Sequence, residues 1–171
     1  MLNIPEYKEY GGETKIALMD NSSLAFMHEL SQRSYPSDEI LSVYDLILIP
    51  KWVMEEIEDS TYRSTYVEQL QAQGYPIRWI DETKYGTFVN DEDVNLYYMV
   101  EAAVSRVSEL MRFLRRKVKT EDLIDLPSAE EWMNQIYDEW PIHGRTLSTG
   151  RVLKKNAGEI SLTILAEVFA W

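Results

Sequence analysis

Apolar positions along the chain fall into short unbroken runs followed by helically spaced stretches. Lys15 to Asp20 (KIALMD) is an apolar run that closes on an acid, and Asn21, Ser22 and Ser23 separate it from an apolar-periodic stretch, Leu24 to Leu30. This pattern predicts a strand, a tight turn and a helix. Tyr44 to Ile49 (YDLILI) is nearly continuous in apolar residues and runs through Pro50 into a helical stretch, Lys51 to Ile57. A strand without alternation is expected to be buried on both faces, as in a parallel sheet. Tyr66, Val67 and Leu70 mark a helix over Ser60 to Gln73, with Gly74 placed to end it, and Pro76 to Asp81 (PIRWID) reads as a third strand. Strands alternating with helices predict βαβ crossovers and an α/β class.

The second half reads as helical. Tyr97, Val100, Val104, Val107, Met111, Leu114 and Val118 recur at spacings of three and four, which predicts one long helix from Asp91 to Lys119, opened by the acid-rich turn Asn90 to Asp93. Leu96, Ala103 and Leu110 add a second stripe. Such a seam packs either within the chain or against a second copy. Ser128 and Glu131 form a capping-box pattern for a helix ending at Trp140 before Pro141. Ile142 to Thr149 reads as a polar loop, and Gly158 to Trp171 as a final apolar helix.

Composition narrows the chemistry. The 171 residues predict one domain, and their 45% hydrophobic and 27% charged content is that of a globular chain. No apolar run approaches the ~18 residues that span a bilayer. The first ten residues carry Glu6 and Glu9 in place of a signal pattern. A cytoplasmic location without membrane association is expected. Cysteine is absent and histidine is limited to His28 and His143, which excludes disulfides and thiolate or histidine-rich metal sites. Carboxylates are then the available ligands, and Mg²⁺ or Mn²⁺ the ions they suit. A net charge of −12 opposes nonspecific nucleic-acid binding, although a bound cation reverses that field locally.

Asp20 ends a predicted strand, where ligands collect in open α/β sheets, but an Asp there also serves as a helix N-cap. Glu55 and Glu56 lie in a helix early enough to complement its dipole. Glu159 follows Asn156 at capping-box spacing. Arg112, Arg115, Arg116, Lys117 and Lys119 are the densest positive run, readable as phosphate contacts or as complements of a helix C-terminus. His143 and the five tryptophans read as structural.

Taken together, ALMDNSSL (17 to 24), IPKWVMEEI (49 to 57) and NAGEISLTILA (156 to 166) resemble the PIN domain family. The resemblance covers roughly 15–81 and 151–171. It implies a three-layer sandwich, a parallel sheet flanked by helices, with a helical elaboration at about 85–150. Asp20, Glu56 and Glu159 would hold Mg²⁺ or Mn²⁺, with Glu55 a lesser candidate and Asn21 and Ser23 lining the site. With an RNA substrate, the phosphate reading of the positive run would fall on Arg112, Arg115 and Arg116. The activity implied is hydrolysis of RNA phosphodiesters, in the setting of a bacterial toxin with an antitoxin partner. The alternatives are a catalytically incomplete interaction module that uses the long helix, and an ordinary α/β domain whose acids never converge.

The pattern departs from the family at two places. No further strand and acid follow the Gly-Glu helix, and Ser161 stands where some members carry another acid. A shortened chain is therefore expected, or else a first strand whose free edge is covered by another segment, a partner or a second copy.

Overall fold

The computed structural model describes residues 2–35, 37–89, 92–118 and 126–170, without the side chains at 37, 38, 92 and 93. Asn90, Asp91, Lys119 and Trp171 lie outside the described residues, as do the side chains of Glu92 and Asp93. The chain gathers into two compact units, residues 1–81 and 82–171.

The first unit is α/β. Strands β1 (Ile16–Leu18), β2 (Leu46–Pro50) and β3 (Ile77–Ile80) form a parallel sheet in the order β1-β2-β3. Ile16 to Leu18 pair with Leu46 to Leu48, and Ile47 to Pro50 with Ile77 to Ile80. β2 is central and every residue in it is buried, which is why its sequence lacks alternation. β1 pairs with β2 on one side and with no other strand among the described residues. The outer edge of β3 is lined by the N-terminal segment, which runs parallel to it: Tyr7 N–H donates to Trp79 O at 2.7 Å, and Trp79 N–H to Pro5 O at 3.0 Å. Leu2, Ile4 and Tyr7 of this segment are buried.

Helices α1 (Asn21–Gln32), α2 (Lys51–Glu58) and α3 (Thr61–Ala72) pack on one another through Leu24, Met27, Trp52, Val53, Met54, Ile57, Tyr66, Val67 and Leu70. Ser60 caps α3 by accepting from Arg63 N–H. At the other end Gly74 takes φ +97°, so that Tyr75 N–H reaches Leu70 O and Gly74 N–H reaches Gln71 O, a Schellman closure at the glycine expected to stop the helix.

The second unit contains a 3₁₀ segment (Glu82–Phe88), helices α4 (Glu92–Val104), α5 (Ser108–Lys117), α6 (Ala129–Asp138) and α7 (Ala157–Ala170), and a hairpin of β4 (His143–Thr146) with β5 (Val152–Lys154). α4 packs against α5, α6, α7 and the 3₁₀ segment. Ser128 caps α6 by accepting from Glu131 N–H, as its spacing predicts.

Two expectations need correction here. The single long helix is two helices. After Val104 the chain tightens into 3₁₀-type bonds, Ser105 N–H to Ala102 O and Val107 N–H to Val104 O, while Ser105 Oγ donates back to Ala102 O. Val107 is extended, and the helix restarts at Ser108. Tyr97, Val100, Val104, Leu114 and Val118 are buried, so the heptad repeat reports core positions on two short helices and not a continuous seam for a second copy. The predicted polar loop at 142–149 contains β4. Its residues are polar and mostly exposed, so the alternation by which a half-buried strand is recognised is missing.

Candidate active site

The carboxyl ends of the three parallel strands bring polar residues to one edge of the first unit. Asp20 follows β1 and is the N-cap of α1, its Oδ1 accepting from Ser23 N–H at 2.7 Å. The capping reading of Asp20 is thus realised. It occupies one carboxylate oxygen and leaves the half-buried side chain its other one. Asn21, next in the chain, holds its Oδ1 in the interior without a hydrogen-bond partner among the described residues. A buried acceptor without a donor costs about 1–3 kcal/mol unless a water or cation meets it.

β2 ends at Pro50, which opens α2, and the half-buried Glu55 and Glu56 lie along that helix. α1 and α2 are in contact, so Asp20 and Glu56 stand on neighbouring helices that spring from adjacent strands. Lys51, in the first turn of α2, forms an ion pair at 2.8 Å with Asp81, the residue that follows β3. Asp81 escaped the sequence reading as a site residue. Its signal was present, since PIRWID ends on an acid just as KIALMD does.

Glu159 belongs to the second unit, exposed in the first turn of α7. Two residues on, Ser161 is fully buried. Its Oγ donates to Glu82 Oε1 at 2.7 Å and shares a 2.8 Å hydrogen bond with Tyr85 Oη. A serine thus occupies the position where an acid was sought, and the carboxyl beside it is supplied by the 3₁₀ segment. Glu82 directly follows Asp81, so that one strand end sends an acid into each unit.

Among the described residues, no group of three or more Asp, Glu, His or Cys side chains stands ready to hold a metal ion. Mg²⁺ asks less than that. It is commonly bound by one or two carboxylates, with water and substrate phosphates completing its octahedron. Asp20, Asn21 Oδ1 and Glu56 are oxygen donors of the kind it takes.

The arginines of α5 split between the two readings given for them. Arg115 reaches Glu101 at 3.3 Å, and Lys117 pairs with Glu139, while Arg115, Arg116 and Lys117 all lie in the last turn, where cations complement the dipole. Arg112, Arg115 and Arg116, with Glu109, also line an open cleft of about 400 Å³. No helix among the described residues is long and apolar enough to cross a membrane. Comparison with protein-family models, curated proteins and solved structures gives no match to this chain.

Proposed function

We propose that this chain is a divalent-metal-dependent endoribonuclease with a PIN-like three-layer architecture, its metal held at the carboxyl edge of the parallel sheet by Asp20 and Glu56. The observation that carries the reading is the neighbourhood of Asp20. An acid at the end of a parallel strand, followed by an amide whose buried oxygen has no partner, is a pair of hard oxygen donors awaiting a polar guest.

When bound, Mg²⁺ or Mn²⁺ lowers the pKa of a coordinated water and stabilises charge on the phosphate oxygens. The chain's own residues supply placement. The bond from Ser23 N–H fixes one face of the Asp20 carboxylate and directs its second oxygen. Packing of α1 on α2 fixes the backbone that carries Glu56. Lys51, paired with Asp81, places a cation at the same strand ends, where a phosphate would otherwise meet only acids. The α5 arginines offer further phosphate contacts. A toxin paired with an antitoxin is the biological setting proposed with this activity.

The test is RNA cleavage with added Mn²⁺ by the full chain and by Asp20→Asn. Asparagine is as good an N-cap as aspartate, so the variant removes the charge and keeps the cap. Cleavage is expected to fall about 100-fold, the loss of a few kcal/mol of transition-state stabilisation, with the thermal midpoint unchanged. Equal cleavage by both proteins, or none by either, would overturn the proposal.

A further inference from the structure

The β4–β5 hairpin is a strongly cationic element of an acidic chain. Residues 142–155 (IHGRTLSTGRVLKK) contain Arg145, Arg151, Lys154 and Lys155 and no acid, although the whole chain carries −12. The root of the hairpin is fixed to the C-terminal end of α6. Trp140 Nε1–H donates to Lys155 O at 3.0 Å, and Lys155 N–H to Ile142 O at 2.9 Å. Lys154 Nζ donates to Asp138 O at 3.0 Å and lies 5.5 Å from the centre of the Tyr137 ring. The pairing is close, since a Cβ on Gly144 would sit 3.1 Å from Leu153 O. The tip is closed by Leu147 N–H to Arg151 O at 2.8 Å and by Gly150 N–H to Leu147 O, with Gly150 at φ +83°. Arg145, Thr146, Ser148, Thr149, Arg151 and Lys155 are all exposed. Four cations gathered on one element run against the field of the rest of the chain.

We propose that this hairpin is a phosphodiester-binding ribbon that holds single-stranded RNA through Arg145, Arg151 and Lys155, with the hydroxyls of Thr146, Ser148 and Thr149 as additional donors. Guanidinium forks and small hydroxyls match phosphate oxygens, and a ribbon fixed at its root presents them with little loss of backbone entropy. Between 142 and 155 there is no tryptophan, tyrosine or phenylalanine to stack on bases, so the contact reads the backbone and is insensitive to sequence. An acidic protein partner fits less well, because the exposed apolar side chain here is Val152, far short of the buried anchor around which protein interfaces form. The choice of RNA over DNA rests on the ribonuclease reading, whereas the ribbon chemistry does not.

The experiment is fluorescence anisotropy of labelled oligouridylate and oligothymidylate of about 20 nucleotides with the full chain in EDTA, from about 50 to about 200 mM salt. Wild type is expected to bind both oligonucleotides, with affinity falling steeply as salt rises. Arg145→Ala/Arg151→Ala/Lys155→Ala is expected to bind about tenfold more weakly, with a log–log salt slope shallower by about 2, the value for three lost contacts on a single strand. Arg145→Lys/Arg151→Lys, which keeps the charge, should retain the wild-type slope and exclude misfolding as the cause. Unchanged binding in the triple variant, or no wild-type binding to either oligonucleotide, overturns the proposal. So does equally tight binding of polyglutamate, which would reassign the ribbon to acidic proteins. Because EDTA removes any metal, this result is independent of cleavage.

Discussion

Two buried polar groups in the second unit show how differently the fold treats single side chains. Ser161 is satisfied on both sides, by Glu82 and Tyr85. Tyr97 is fully buried, its ring meeting Trp132 edge-on at 6.3 Å, yet its hydroxyl has no hydrogen-bond partner among the described residues. Burial first, and then the neighbouring Glu101, raise the Tyr97 pKa. The phenol therefore holds its proton more tightly folded than unfolded. The stability tied to it is present below the ordinary tyrosine value of 10.0 and lost as pH rises above that value. Tyr7 is shifted the same way, by burial and by its hydrogen bond to Glu13. Tyr97→Phe deletes a hydroxyl with no hydrogen-bond partner among the described residues, so urea unfolding at neutral pH should show no loss of stability and a gain of up to about 1 kcal/mol. The variant should also lose less stability than wild type between neutrality and alkaline pH. A loss above about 1 kcal/mol at neutral pH would mean that an ordered water holds that hydroxyl.

At the scale of elements, legibility followed burial. β2 and the strands beside it were readable because apolar runs bounded by turn residues have few other solutions, and α3 was readable down to its terminal glycine. A Cβ on Gly74 would meet nothing within 4 Å, so Gly74→Ala tests the left-handed backbone alone. It should cost about 1 kcal/mol in chemical denaturation, and no cost would show that the Schellman turn relaxes freely. The break at Ser105 to Val107 was illegible, because a heptad repeat fixes which residues are buried and not whether one helix carries them all. The hairpin was illegible because its strands bury little beyond Leu153. In the candidate site, Asp20 could be read as an acid at a strand end, but its hydrogen bond to Ser23 could not be told in advance from a metal-binding role. Asp81 carried the same signal as Asp20, an acid closing an apolar run, and was passed over, whereas the role of Glu82 rests on a hydrogen bond to Ser161, 79 residues away, that no local pattern encodes.

Across the whole molecule, charge is unevenly divided. Residues 1–81 carry 6 basic and 14 acidic side chains, and residues 82–171 carry 11 and 15. Like charge at this density opposes the compact state and is screened by salt. Raising sodium chloride from about 10 to about 150 mM should raise the thermal midpoint by about 2–4 °C, the response of a chain this size to about 1 kcal/mol. A flat or falling midpoint would show that attractive pairs such as Lys51–Asp81 dominate over the net repulsion. The strand-like contact of Pro5 to Tyr7 along β3 bears on a different matter, the order of events during synthesis. The ribosome releases residues 5–7 long before Trp79 exists, so this contact closes only after all three sheet strands have emerged. Until then Pro5 and Tyr7 travel without the strand they bond, and an amino-terminal fusion would act on the last docking step of the nascent chain and not on the first.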